Sequence, residues 1–455
     1  MRFWDSQSGQ LKEFVPNDPK RVTMYVCGPT VYNTPHIGNL RPAVAFDQLY
    51  RLLRYKYGED HVVYTSNYTD IDDKIIARSN AEGLPIDKIT EKAIAEYSWA
   101  RYILNVLNPT VRPRATEYVT KMIQMIQQLV DRGFAYVGES GDILFRVAAN
   151  PYPGMEDSRD QGETRLEDTG KEDPRDFVLW KQRKPGEPFW DSPWGPGRPG
   201  WHIECSAMIA DTLGETIDIH GGGSDLKFPH HNAEMAQSAC AHDKPLANYW
   251  LHSGMIQVNS VKMAKSLGNV MTVGELCTIT PNEVLRLWML GTHYRSTLTL
   301  ELYINFRDQR KVLDTWYRFL YQFRDEILDD ARPDARVIAA LEDDLNTPKA
   351  IAELHTLFNI AKAATATGDR VWLRTFISTA RFLGILYYDP SDWFHRGVNS
   401  DEIEKLISER NSAKAEKDWD RADELRRKIT DLGVLIEDKG TETFWYTQQG
   451  AVLRS

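Results

Sequence analysis

Apolar residues recur along the chain in two rhythms, and the alternation between them outlines the fold. The β-branched, apolar run Thr23–Val26 predicts a strand. Beyond Gly28, Pro29 and His36-Ile37-Gly38-Asn39, the segment Leu40–Tyr57 carries Ala45, Leu49, Leu52 and Leu53 at helical spacing and stops at Gly58. A second strand over His61–Thr65 and a helix over Asp72–Glu82 repeat the unit. Strand, turn and helix in succession predict the first half of a parallel α/β domain, from Arg21 to about Ala95, with residues 1–20 as an edge strand and lead-in. The run Val62–Asn67 brings Thr69 and Asp70 to the carboxyl end of its strand, where open α/β sheets bind ligands.

Between about 96 and 200 the rhythm breaks. A helix over Thr116–Arg132 ends at Gly133, and Phe134–Val137 with Asp142–Val147 predict a hairpin turning at Glu139–Gly141. The polar stretch Asn150–Asp173 reads as a mobile surface loop, followed by the Pro/Gly/Trp-rich segment Pro185–Gly200. Together these form an insertion between two halves of one fold. The second half resumes with a helix over Trp201–Leu213, a strand over Thr216–His220, a helix over Asn232–Cys240 and a strand near Tyr249–Gly254. A hairpin over Met255–Val261 leads into a lysine-bearing loop. Bundle-like helices follow over Ile304–Leu328, Ala335–Leu345 and Pro348–Thr365, the first with Phe306, Val312, Leu313, Trp316 and Leu320 on one face. After Gly397–Ser400, a charged helical stretch, Asp401–Leu432, is broken at Lys417–Asp420 and precedes a strand pair, Val434–Glu437 and Thr443–Tyr446. The expected domains are therefore 1–95, 96–200, 201–258, 259–304, 305–396 and 397–455.

Bulk composition narrows the class. A chain of 455 residues with 42% hydrophobic and 26% charged positions describes a globular protein with a large core. No apolar run reaches the roughly 18 to 20 residues that span a bilayer, and Met1–Ser6 opens no signal-peptide core, so a cytoplasmic protein is expected. Four scattered cysteines do not make a disulfide framework. The net charge of −10 argues against coating of nucleic acid by bulk attraction but leaves a local basic surface open.

The turn at His36–Asn39 brings a helix N-terminus, with its partial positive charge and unpaired N–H groups, to a place suited to phosphate. Gly38 has no side chain, so a flat adenine can lie against the backbone there. Far along the chain, Lys262-Met-Ala-Lys-Ser-Leu-Gly-Asn269 sets two lysines three apart in a loop. The two stretches resemble the paired ATP-binding signatures of class I aminoacyl-tRNA synthetases. Between them lie Asn67-Tyr-Thr-Asp-Ile-Asp-Asp-Lys74, Arg198-Pro-Gly-Trp-His-Ile-Glu-Cys-Ser-Ala-Met208 and Asp218-Ile-His-Gly-Gly-Gly-Ser-Asp-Leu-Lys-Phe-Pro-His-His231. With these, almost the whole chain resembles the cysteinyl-tRNA synthetases.

The resemblance implies a Rossmann-like α/β catalytic domain with an insertion domain, an α-helical bundle and a small C-terminal anticodon-binding unit. It implies activation of L-cysteine by ATP with Mg²⁺ and transfer to tRNA(Cys) by a monomer away from membranes. It places His36, Gly38, Asn39 and Lys265 at ATP, with His36, Asn39, Lys262 and Lys265 acting on the phosphates. Gly28, Thr30, Thr69, Trp201, His220 and Asp225 fall at substrate positions. It assigns Cys27, Cys205, His230 and Glu234 as ligands of one Zn²⁺ per chain. Taken singly, each of these residues also fits a bland role: a buried structural cysteine, a core tryptophan, a strand threonine or a turn aspartate. His230 and Glu234, four apart, share a helix face if the helix starts at or before His230. Two thiolates, an imidazole and a carboxylate are chemically suited to zinc. A soft thiolate bonds zinc far better than a hydroxyl does, which would separate cysteine from serine where an apolar pocket gives only about 1–3 kcal/mol.

Three residues depart from the family pattern: Asn39 in place of a histidine, Ala264 in place of a serine, and Asn232 where an acidic residue is common. The charged stretch Glu409–Ile429 reads as a solvated helix pair, while Trp419, Arg426–Lys428 and Phe444–Tyr446 offer cations beside stacking surfaces for anticodon bases. Two other functions fit the same signatures: a ligase passing activated cysteine to an amino sugar, and a non-catalytic RNA-binding paralogue. The charged tail speaks against the first and the largely intact signatures against the second.

Overall fold

The computed structural model describes residues 1–152, 154–155, 170–258, 261–262, 269–301, 305–326, 331–395, 398–439 and 442–447, the side chains of 261, 262, 305, 439 and 442 excepted. Its contacts divide the chain into two compact units. The first comprises residues 1–300, 333–356 and 382–384; the second comprises 301–332, 357–381 and 385–455.

The expected lead-in forms an antiparallel pair, β1 (Arg2–Asp5) with β2 (Gln10–Glu13). Then β3 (Val22–Val26), all five residues buried, passes through a loop into α1 (Ile37–Tyr57) and β4 (Val62–Thr65). A strand buried on both faces is what a parallel sheet covered by helices requires. Next, α2 (Asp73–Glu82) starts on Asp72, whose carboxylate accepts the Lys74 N–H, and ends at left-handed Gly83. The following helix, α3 (Ile86–Ile103), runs through the expected boundary near residue 95, since it contains no proline or glycine to stop it.

The insertion contributes α4 (Val119–Asp131) and an antiparallel sheet in the order β5 (Ala135–Val137), β6 (Ile143–Phe145), β7 (Phe177–Gln182) and β8 (Gly197–Pro199). The expected hairpin is β5–β6; the other two strands were not foreseen, because the short β8 is hidden in a Pro/Gly-rich segment. Most of the expected surface loop, residues 153 and 156–169, lies outside the described residues.

The chain then returns to the parallel sheet through α5 (Trp201–Thr212), β9 (Ile217–Gly223), α6 (Asn232–His242) and β10 (Ala247–Ser253). Strand order is β10-β9-β3-β4, every neighbour parallel. From β3 the chain winds outward to β4 on one side, and later to β9 and β10 on the other. The topological switch point therefore falls between β3 and β9, where a doubly wound sheet opens a crevice.

A smaller sheet, β12 (Val261–Lys262), β11 (Ile256–Val258) and β13 (Leu298–Leu300), brackets α7 (Val273–Ile279) and α8 (Asn282–Leu290) in sequence. Within the core, Asp47 of α1 pairs with Arg51 at 2.8 Å and with the fully buried Arg286 of α8, tying α1 to α8. No helix among the described residues is long and apolar enough to cross a membrane.

The second unit is built around α9 (Asn305–Leu320), where Trp316 meets Phe358 and Phe376 and Tyr317 stacks on Trp393 at 4.3 Å. Its last part is a helix pair, Ser400–Ala415 and Trp419–Asp431, packed on a hairpin, Val434–Lys439 with Glu442–Thr447. The helix break falls where expected: Lys417 takes a left-handed φ of 62°, and Asp418 caps the second helix by accepting the Arg421 N–H at 3.0 Å. Ile403, Ile407, Ile429, Val434 and Trp445 fill this small core, leaving Trp419 60% exposed.

Candidate metal centre and active site

Four ligand-type side chains meet at the switch point. Cys27 follows directly on β3, and its N–H donates to the Gly221 carbonyl of β9 at 3.1 Å. Cys205 lies on the buried face of α5, while His230 sits in the turn that leads into α6, and Glu234 in the first turn of that helix. The ligand atoms of all four lie within 4.8 Å of one another. None of the four cysteines of the chain is in a disulfide.

The spacing fits a tetrahedral zinc ion. With Zn–S near ~2.3 Å and Zn–N near ~2.05 Å, tetrahedral edges run roughly 3.8 Å between sulfurs and roughly 3.6 Å from sulfur to nitrogen or oxygen. The Cys27 and Cys205 Sγ atoms are 3.7 Å apart, Cys205 Sγ is 3.6 Å from His230 Nε2, and Cys27 Sγ is 3.4 Å from Glu234 Oε1. His230 Nε2 and Glu234 Oε1 are closer, at 2.9 Å. That pair is an ion pair: burial pulls the His230 imidazole down, but Glu234 and Cys205 raise it to about 10. Burial likewise pushes Glu234 up, yet His220 and His230 hold its carboxyl well below the usual range. The Cys205 thiol, also pushed up by burial, is brought down to about 6 by its neighbours Cys27 and His230, whereas burial and Cys205 drive Cys27 well up. A metal must displace such protons from its ligands, so binding is linked to pH.

Behind the ligands stands a layer of histidines, of which the sequence reading singled out only His220. His202 Nδ1 lies 2.9 Å from His230 Nδ1, which leaves the His230 Nε2 lone pair facing the cluster when Nδ1 carries the proton. Burial and His230 lower His202 to about 3, so it stays neutral and can accept that bond. His220, expected at substrate, is fully buried and places Nε2 2.7 Å from Glu234 Oε2, orienting the carboxylate. Beyond it, His231 Nδ1 meets His252 Nε2 at 2.8 Å, and His220 stacks on Trp250 at 4.3 Å. Cys27, His220, His231 and Glu234 also lie within 4.8 Å of one another, an alternative set sharing two of the same ligands. One signal was available in the sequence: His202 and Cys205, three apart, share a helix face.

The other expected residues lie on the segments that follow β3, β4 and β9 and at the start of α5. Trp201, a residue 38% exposed, stacks on His230 at 4.3 Å. Thr30 and Thr69 face each other in a parallel bridge that joins the loops after β3 and β4. Gly28 donates its N–H to Asn67 Oδ1 at 2.8 Å and presses against the Asn67 backbone. Asp225 follows Gly223, where any Cβ would collide with its carboxylate. Glu204, beside Cys205, is buried; burial and Cys205 push it well above the usual range, against a smaller lowering by the Thr69 side chain.

At the first signature, His36 precedes α1 and Gly38 lies in its first turn. The substituted Asn39 accepts the His36 N–H on Oδ1 at 3.0 Å, closing the start of α1 from its third residue. His36 also bridges to Thr272, and Ile37 N donates to Met271 O at 2.9 Å, which ties the first signature to the segment just beyond the lysine loop. The backbone of Lys262 belongs to β12, but its side chain, Ala264 and Lys265 lie outside the described residues. Asn232 finds a role: its Oδ1 accepts the Met155 N–H at 2.8 Å and its Nδ2 donates to the Met155 carbonyl at 3.1 Å. A carboxylate could accept the first bond but could not donate the second.

Comparison with known proteins identifies the family. A family profile described as the class I (C) tRNA synthetase catalytic domain matches residues 13–304, a DALR domain matches 336–386, and the cysteinyl-tRNA ligase anticodon-binding domain matches 399–445. A cysteine–tRNA ligase of Caulobacter sp. (strain K31) is 46% identical over 98% of this chain and 99% of its own length. That of Parvibaculum lavamentivorans is 47% identical over 98% and 97%. Among solved structures, a LeuRS–tRNA complex from Agrobacterium radiobacter K84 has a TM-score of 0.60 at 11% identity, covering 85% of this chain and 86% of that one. Methionyl-tRNA synthetase of Mycobacterium tuberculosis has a TM-score of 0.56 at 13% identity, covering 80% and 89%. These distant structures share the class I fold, while the near-complete match in sequence decides the branch: the chain belongs to the cysteine–tRNA ligase family.

Proposed function

We propose that this chain joins L-cysteine to tRNA(Cys) at the expense of ATP and selects its substrate by the thiol. The observation carrying this reading is the convergence of Cys27, Cys205, His230 and Glu234 at the switch point, one loop away from the first ATP signature. In the first step a carboxylate oxygen of cysteine attacks the α-phosphorus of Mg-ATP. The P–O bond to the β-phosphate breaks, releasing pyrophosphate and forming cysteinyl-adenylate. In the second step a hydroxyl of the terminal ribose attacks the carbonyl carbon, and AMP leaves with the bonding electron pair.

No covalent nucleophile from the protein is needed; the work is positioning and charge neutralisation. His36 and Asn39 hydrogen-bond the phosphates at the start of α1, with Gly38 leaving room for adenine, and Lys262 and Lys265 neutralise the departing pyrophosphate. Trp201 walls the amino-acid pocket, Asp225 pairs with the ammonium, Thr30 and Thr69 hydrogen-bond the substrate, and Gly28 lines its site. His220 supports this pocket from behind by holding Glu234. Zn²⁺ bound by the four side chains would supply a soft Lewis acid that favours a thiolate over a hydroxyl. The match of residues 399–445 to an anticodon-binding domain favours tRNA over an amino sugar as acceptor.

ATP–pyrophosphate exchange tests this reading. Zinc-loaded protein is expected to exchange with cysteine and to discriminate against serine by at least about a thousandfold, beyond what an apolar pocket achieves. Supplied with both acceptors, it should charge tRNA and leave the amino sugar unmodified. Comparable exchange with serine, or transfer to the sugar, would refute it.

A further inference from the structure

Asn67 belongs to none of the roles above, yet it is 1% exposed and sits between three parts of the site. Its Oδ1 accepts the Gly28 N–H at 2.8 Å, lies 3.9 Å from Cys205 Sγ, and its Nδ2 lies 3.3 Å from Thr69 Oγ1. The orientation of this carboxamide is fixed by its partners. A backbone N–H can only donate, so the oxygen must face Gly28 and the NH₂ group must face Thr69. Thr69 Oγ1 is therefore an acceptor in that bond, and its own hydrogen points away from Asn67.

The rest of Thr69 is already held. Its N–H donates to the Pro29 carbonyl at 3.2 Å, and its carbonyl accepts the Val31 N–H at 3.1 Å. A β-branched side chain on a pinned backbone keeps few rotamers, so the remaining freedom is the hydroxyl itself. Asn67 narrows that freedom by occupying one lone pair and turning the hydrogen away from itself, while the buried Glu204 carboxyl also interacts with that hydroxyl. The same amide holds the Gly28 N–H, so it also fixes the backbone immediately after Cys27.

We propose that Asn67 is a positioning residue for the amino-acid substrate: it sets the direction of the Thr69 hydroxyl and anchors Gly28 without touching substrate itself. This rests on the reading of Thr69 as a substrate contact. In an Asn67→Asp variant one oxygen still accepts from Gly28, but the other can no longer donate to Thr69, so the hydroxyl turns back to donate to it.

The test is a double-mutant cycle with Thr69→Val, read by cysteine-dependent exchange, with zinc per chain and the thermal unfolding midpoint measured on every variant. Asn67→Asp is expected to raise KM for cysteine about tenfold, the scale of one hydrogen bond. Its kcat and KM for ATP should stay within about twofold of wild type, with zinc retained. In the Thr69→Val background the same substitution should change KM for cysteine by less than about twofold. Independent effects that multiply to about a hundredfold, or equal changes in kcat and in KM for ATP, would overturn the proposal. If Asn67→Asp fails to fold, Asn67→Ala takes its place in the cycle with the same expectation of non-additivity. Wild-type protein inactive with cysteine would instead refute the functional reading.

Discussion

Replacing Cys205 with serine is expected to cost the protein its zinc and at least about a hundredfold in cysteine-dependent exchange. Loss of a residue that merely orients a metal ligand typically costs 10–100-fold in affinity, so loss of a ligand sets that as a floor. Serine has nearly the size of cysteine, and Cys205 is 1% exposed on a well-packed helix, so the fold should persist. What changes is chemistry. The Cys205 thiol, brought down to about 6 by Cys27 and His230 against the effect of burial, is ready to bind metal as a thiolate, whereas a serine hydroxyl does not ionise there. Zinc per chain by atomic absorption, exchange with cysteine, and the unfolding midpoint separate the two effects. A Cys205→Ser protein with full zinc and unchanged exchange would contradict the assignment.

Gly28→Ala should be nearly as damaging for a steric reason. A Cβ built on Gly28 would stand 1.7 Å from the Asn67 carbonyl oxygen, and backbone cannot swing aside as a side chain could. Making room means parting the loops after β3 and β4, which the Thr69–Pro29 and Val31–Thr69 hydrogen bonds lace together. Overpacking costs about 1–3 kcal/mol and each broken bond about 1 kcal/mol more, for a total near ~3–5 kcal/mol. The displacement also falls one residue from Cys27 and across from Thr69. We expect kcat/KM for cysteine to fall at least about a hundredfold and the unfolding midpoint to drop by several degrees. Wild-type values for both would show that the crevice is looser than its geometry indicates.

Much of the scaffold is legible in the residues because its signals are local. The buried β-branched strand at 22–26, the amphipathic helix stopped by Gly58 and the turn at Lys417 each follow from spacing and backbone preference. Strand β8 escapes such reasoning because a three-residue strand carries no period of its own and exists only through pairing with β7. The ligand set is less legible still. Cys27 and Cys205 are 178 residues apart, and only the winding order β10-β9-β3-β4 brings them together. Resemblance supplied the four names, but it did not supply what holds them. His202 behind His230, His220 behind Glu234 and Asn67 beside Gly28 are visible only once the sheet has closed. His220 illustrates the point: resemblance places it at substrate, and only the structure shows its Nε2 2.7 Å from Glu234 Oε2.

Zinc K-edge X-ray absorption on the zinc-loaded protein, with and without cysteine, tests the central claim most directly. The account predicts two sulfur and two nitrogen or oxygen scatterers without substrate, and a third sulfur near ~2.3 Å once cysteine is added, with serine adding none. A zinc shell lacking sulfur, or one whose sulfur count is the same with and without cysteine, would contradict it.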